Sequence, residues 1–144
     1  MNQKKIFFYL SLLAALFITA CSDNPGPIDD EEDESGTENL FILSEGSSEP
    51  NSSTLALYNI ETGEINKDYF LTANQRGLGD TGNDMILYGS KIYVSVHISS
   101  TIEVLDAASG RSLSQIDMKQ PDGSAKQPRQ LASHDGKVYV TSYD

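Results

Sequence analysis

The sequence has one cysteine, two histidines and no tryptophan in 144 residues, and its ten basic residues face 21 acidic ones. Each scarcity excludes something. A single thiol cannot close an intramolecular disulfide, so the fold must be held by packing. His97 and His134 have no partner at ligand spacing and no H-E-x-x-H context, so no resident metal is read from them. There is no G-x-S-x-G, no phosphate-binding loop and no nucleophile–base–orienter set, so no catalytic residue is assigned and no cofactor is expected. The formal net charge is −11 and no segment carries a basic stripe, which argues against a nucleic-acid partner. After residue 39 no stretch shows a convincing 3.6-residue apolar period.

What is present begins with a leader. Lys4 and Lys5 precede an almost wholly apolar run from Ile6 to Ala20. Fifteen helical residues reach roughly 22 Å, short of the roughly 30 Å hydrocarbon core, so a signal-peptide core fits better than a membrane span. The run ends Leu16-Phe17-Ile18-Thr19-Ala20-Cys21. This resembles the lipobox of bacterial lipoproteins, which implies removal of residues 1–20 and lipidation of Cys21. The alternative is a free thiol behind an ordinary signal peptide. Several acyl chains anchor stably where one would not.

Residues 21–38 read as the lipidated cysteine and an acidic, disordered tether. Ser22–Glu38 holds eight acidic residues, two prolines and two glycines, too little apolar surface to fold. As a spacer it reaches at least roughly 20 Å, and self-repulsion extends it. The acidic run behind the cysteine also resembles the surface-export signal of Bacteroidetes lipoproteins. That implies an outer-membrane location, lipid-anchored and facing the cell exterior. Loss of Lys4 and Lys5 with the leader leaves 8 basic against 21 acidic residues, about −13.

The remainder, 39–144, repeats. MILYGSKIYVSVHI (85–98) aligns with LASHDGKVYVTSYD (131–144) at an offset of 46, and STLALYNIETGEI (53–65) with STIEVLDAASGRS (100–112) at 47. A period of this length marks stacked supersecondary units. Ile92, Val94 and Val96 alternate with Tyr93 and Ser95, and Ile102 and Val104 flank Glu103, the two-residue period of strands. Asp135-Gly136 and Gly89-Ser90 suit tight hairpins, and Gly63 and Gly110 suit the next turn. One unit is therefore four strands, at about 83–88, 91–97, 101–106 and 112–118. Four antiparallel strands per repeat describe a propeller blade, so the fold class is all-β.

KIYVSVHISSTIEVLDAASGRSLSQIDM and QPRQLASHDGKVYVTSYD resemble repeats of the YVTN, or YncE-like, β-propellers. Tyr139-Val140-Thr141-Ser142 nearly spells that family's motif, with Ser where Asn is usual, and Val104-Leu105-Asp106 matches its turn before the last strand. With the lipoprotein start, the chain is similar to Bacteroidetes surface propellers, among them seven-bladed lipoproteins that capture cobalamin above a TonB-dependent transporter. The resemblance implies about seven blades in a complete protein, of which about 2.5 are here. Blade 1 is expected at about 39–70, blade 2 at 83–118 and the start of blade 3 at 128–144. The strand matching 101–106 is missing after Asp144, and an inner strand is missing before Asn39, so the chain reads as an N-terminal fragment.

The resemblance implies a small-molecule binding module, with cobalamin the first ligand and a TonB-dependent transporter the partner. The alternatives are a propeller-type polysaccharide lyase or hydrolase, and a protein-binding or adhesion scaffold. In such a propeller the loops 46–53, 71–84, 97–100 and 119–130 share the ligand face. The candidate ligand residues are Asn83, Asp84, Arg129, Gln130, Arg76 and His97. Asn83 and Asp84 align with Arg129 and Gln130, just ahead of matching strands. An arginine here grips an anionic or amide-rich ligand, or pairs with a neighbouring carboxylate. For Arg76, in the longest loop, plain solvation competes. Asp80 and Asp84 offer closely spaced oxygens for a calcium ion, against the simpler reading of a hydrogen-bonded turn. Tyr93 and Tyr139 recur with the fold and read as packing residues.

Overall fold

The computed structural model describes residues 39–47 and 49–143; the leader, Cys21 and the acidic tether lie outside the described residues. The two-residue alternation does form strands, in three antiparallel sheets. β1 (Asn39–Ser44), β2 (Thr54–Asn59) and β3 (Ile65–Asn66) make the first. β4 (Gly82–Tyr88), β5 (Lys91–Val96), β6 (Thr101–Asp106) and β7 (Ser112–Asp117) make the second, in chain order. β8 (Gln127–His134) and β9 (Lys137–Tyr143) make the third. The described residues are all-β but for one short helix. The central strands fall within one residue of the expected bounds at each end.

The central sheet is buried on both faces. Ile92, Val94, Val96 and Leu105 pack with Leu55, Phe70 and Leu78 from the chain before it. Ile102 and Val104 point the other way and pack with Leu131, flanked by Ile86, Tyr93, Val138 and Val140. The register explains the split: Ile92 lies opposite Leu105 and Tyr93 opposite Val104, so each pair shares a face. Burying each such aliphatic side chain contributes roughly 1.5–3 kcal/mol. Tyr93 thus packs between sheets, whereas Tyr139 is exposed on the far face of β9.

The repeat holds at the level of single hydrogen bonds. In the β2–β3 turn the Gly63 N–H donates to the Asn59 carbonyl, the Asn59 N–H to the Glu64 carbonyl, and the Thr62 N–H to Asn59 Oδ1. In the β6–β7 turn the Gly110 N–H donates to the Asp106 carbonyl, the Asp106 N–H to the Arg111 carbonyl, and the Ser109 N–H to Asp106 Oδ1. Each bond is displaced by 47 residues. Gly63 and Gly110 take φ of 72° and 68°, the left-handed region that a side chain disfavours. The Ser109 hydroxyl, then its N–H, hold the Asp106 carboxyl below its usual pKa. In the β8–β9 turn Asp135 and Gly136 both have positive φ, as a type I′ hairpin requires.

The helix, α1 (Tyr69–Asn74), falls in a stretch without a convincing 3.6-residue period. Six residues are under two turns, too few to show a period. It ends at Gln75, φ 54°, whose N–H donates to the Leu71 carbonyl. Tertiary contacts hold it: Phe70 is 2 % exposed, and Asn74 Nδ2 donates to the Gly110 carbonyl at 2.9 Å while Asn74 Oδ1 accepts from the Ser112 N–H at 2.7 Å. No helix among the described residues is long and apolar enough to cross a membrane.

Candidate functional site

Two β-bulges build the site. One interrupts β4 between Gly82 and Asp84, the other β8 between Pro128 and Leu131, flanking residues 46 and 47 apart. A bulge inserts unpaired residues and re-aims their side chains, here Asn83 and Arg129. With Leu43 and Glu45 at the end of β1, and Gly82, Asp84 and Met85, they line an open cleft of about 470 Å³. All three sheets contribute to it. Gly82 permits the close approach of β4 to β1: a Cβ there would lie 2.9 Å from Leu43 Cδ1.

The cleft floor is hydrogen-bonded across the sheets. The Arg129 carbonyl accepts from Asn83 Nδ2 at 2.8 Å and from the fully buried Ser95 hydroxyl at 2.7 Å. Asp84 Oδ2 accepts from the Leu131 N–H at 2.7 Å and Oδ1 from the Met85 N–H at 2.9 Å. The Glu45 carbonyl accepts from the Ser53 hydroxyl at 2.6 Å and the Gly82 N–H at 3.2 Å. The backbones carrying Arg129 and Glu45 are therefore pinned while their charged ends are not consumed by these bonds. The Arg129 guanidinium lies over the Tyr143 ring, 5.0 Å from its centre. Among the described residues it donates no hydrogen bond and meets no carboxylate within 4 Å.

The structure brings Asn83, Asp84 and Arg129 into one cleft, which Arg76, His97, Gln130 and Asp80 do not line, although His97 packs on the same Tyr143 ring as Arg129. Arg76 is neither simply solvated nor part of the cleft: its Nη2 meets Glu103 Oε1 at 2.7 Å and its guanidinium covers Phe70, 5.0 Å from the ring centre. His97, 8 % exposed, faces the Pro128 carbonyl through Nδ1 at 3.2 Å and meets the Tyr143 ring edge-on, so it braces β5 against β8. Gln130 is exposed and bonds through its N–H to Thr141 Oγ1 at 3.0 Å. Asp80 Oδ1 accepts from the Asn51 N–H, a different backbone partner from those of Asp84. Among the described residues no three His, Cys, Asp or Glu side chains are grouped to hold a metal ion.

Sequence reasoning missed Leu43, Glu45 and Met85. Glu45 follows β1, which does not share the 46-residue offset, so the repeat alignment gave no signal for it. Two other concavities lie among the described residues. A cavity of about 180 Å³ lies beside α1, lined in part by Leu55, Phe70 and Leu78. A groove of about 420 Å³ runs along Tyr88–Lys91 and Tyr93, at the other end of β4. The cleft pairs the Arg129 guanidinium, which has no ion-pair partner among the described residues, with polar groups on pinned backbone from all three sheets, and this arrangement can hold a small polar ligand by several hydrogen bonds at once. No protein-family model matches the sequence, and no curated protein does.

Proposed function

We propose that this chain carries blades of a lipid-anchored β-propeller at the outer cell surface, a non-enzymatic module that captures a small nutrient for a TonB-dependent transporter. Cys21 carries the lipid, the acidic tether gives reach, and the three sheets are one blade without its inner strand, one complete blade and the first half of a third. The recurrence of strands, turns and bulges at 46–47 residues supports the propeller reading. The observation that carries the function is the convergence of all three sheets on the cleft of Glu45, Asn83, Asp84 and Arg129. In the cleft Asp84 accepts one backbone N–H on each oxygen, from β4 and from β8, a bracing role that suits a preformed binding site. A tether supports capture, because it holds the module at high local concentration near its transporter.

Cobalamin is the first ligand to test, by calorimetric titration of the whole protein alongside a glycan panel. Saturable cobalamin heat is expected, weakened at least about tenfold by Arg129→Ala, since hydrogen bonds to a charged group are worth about 1.5–3 kcal/mol. Turnover of a glycan with no cobalamin heat would overturn the proposal in favour of an enzyme.

A further inference from the structure

We propose that Arg129 is an oxyanion receptor, so that the ligand of the cleft presents a carboxylate, sulfate or phosphate group to its guanidinium. The inference names a ligand class for the site described above and rests on the reading of that cleft as a binding site. Three arginines occur in the sequence, among 21 acidic residues. In so acidic a chain a guanidinium in a cleft has many potential carboxylate partners, and Arg76 shows the ordinary outcome in its 2.7 Å pair with Glu103. Arg129 has no such partner among the described residues, yet its position is fixed more thoroughly than a solvated arginine needs. Asn83 and Ser95 hold its carbonyl, Asp84 holds the N–H two residues on, and the guanidinium lies over the Tyr143 ring. The guanidinium carbon lies 5.0 Å from the centre of the Tyr143 ring, and among the described residues its N–H fork donates to nothing, so the fork is open to two parallel bonds to an oxyanion. Glu45 on the same cleft disfavours a bare polyanion and favours an anionic group flanked by hydroxyls that donate to its carboxylate.

The test uses the full chain labelled with ¹⁵N-arginine, which gives three side-chain Nε–H signals. Glucuronate and inorganic phosphate are titrated in, with glucose as the neutral control. The Arg129 signal is expected to move saturably with glucuronate, at higher concentrations with phosphate, and not with glucose, while Arg76, already paired, stays still. Arg129→Gln should weaken glucuronate binding at least about tenfold, and Arg129→Lys, which keeps the charge but loses the fork, should fall between. Unchanged Arg76 and Arg111 signals in both variants show that the fold is retained. A static Arg129 signal at millimolar glucuronate and phosphate would overturn the proposal. Cobalamin binding that persists undiminished in Arg129→Gln would also overturn it while leaving the binding function standing.

Discussion

Phe70→Ala should lower the unfolding free energy of the protein by about 4 kcal/mol, read as a shift of the urea midpoint at unchanged slope. The side chain is 2 % exposed and packs among Leu55, Leu78, Val94, Val96 and Leu105, so its loss removes a ring from the larger of the two cores. The cavity of about 180 Å³ already bordering Phe70 would be enlarged rather than filled, which places the cost at the upper part of the usual range. Phe70→Leu should cost less than about 1.5 kcal/mol. Most domains have about 5–15 kcal/mol in total, so the alanine variant should be close to its stability limit at ambient temperature. A cost below about 1 kcal/mol would mean that α1 does not close this core.

Arg76→Ala should cost about 3 kcal/mol. Glu103 is fully buried, and without Arg76 its carboxylate keeps only the Ser112 hydroxyl and Gln115 Nε2. An uncompensated buried charge typically costs about 3–5 kcal/mol; the 41 % exposure of Arg76 puts this pair at the low end. The double replacement Arg76→Met with Glu103→Leu should recover most of the loss, because an apolar pair of similar volume is often neutral in such a place. The Arg76 and Phe70 effects should not add, since the guanidinium lies on the Phe70 ring. A change within 0.5 kcal/mol, as for an ordinary surface residue, would contradict this account of the pair.

Both residues sit in the stretch where the sequence was hardest to interpret. In TIEVLD the position of Glu103 looks like the solvent side of an alternating strand. It is buried because sheets cover both faces of the central one and because Arg76, 27 residues earlier, folds back to meet it. Nothing local encodes that pairing. YFLTAN became a helix through Phe70 burial and the Asn74 side chain, again non-local causes. The turns were legible because their chemistry is local: Asp135-Gly136 and Gly110 require backbone angles that few residues tolerate. Asn83, Asp84 and Arg129 were legible as a group because the 46-residue offset superposes the two bulged strands. His97 and Arg76 were drawn into the same group by loop position alone, and their partners are internal. Glu45 was invisible from the offset yet faces the same cleft.

The central claim is that the end of the sheets carrying the two bulges is where the ligand binds. Hydrogen exchange read by mass spectrometry, with and without saturating cobalamin, tests it most directly. The account predicts slowed exchange at 82–85 and 128–131, with the hairpin at 134–137 and the groove at 88–93 unchanged. Protection confined to 88–93, or no change anywhere on the described sheets, would contradict it.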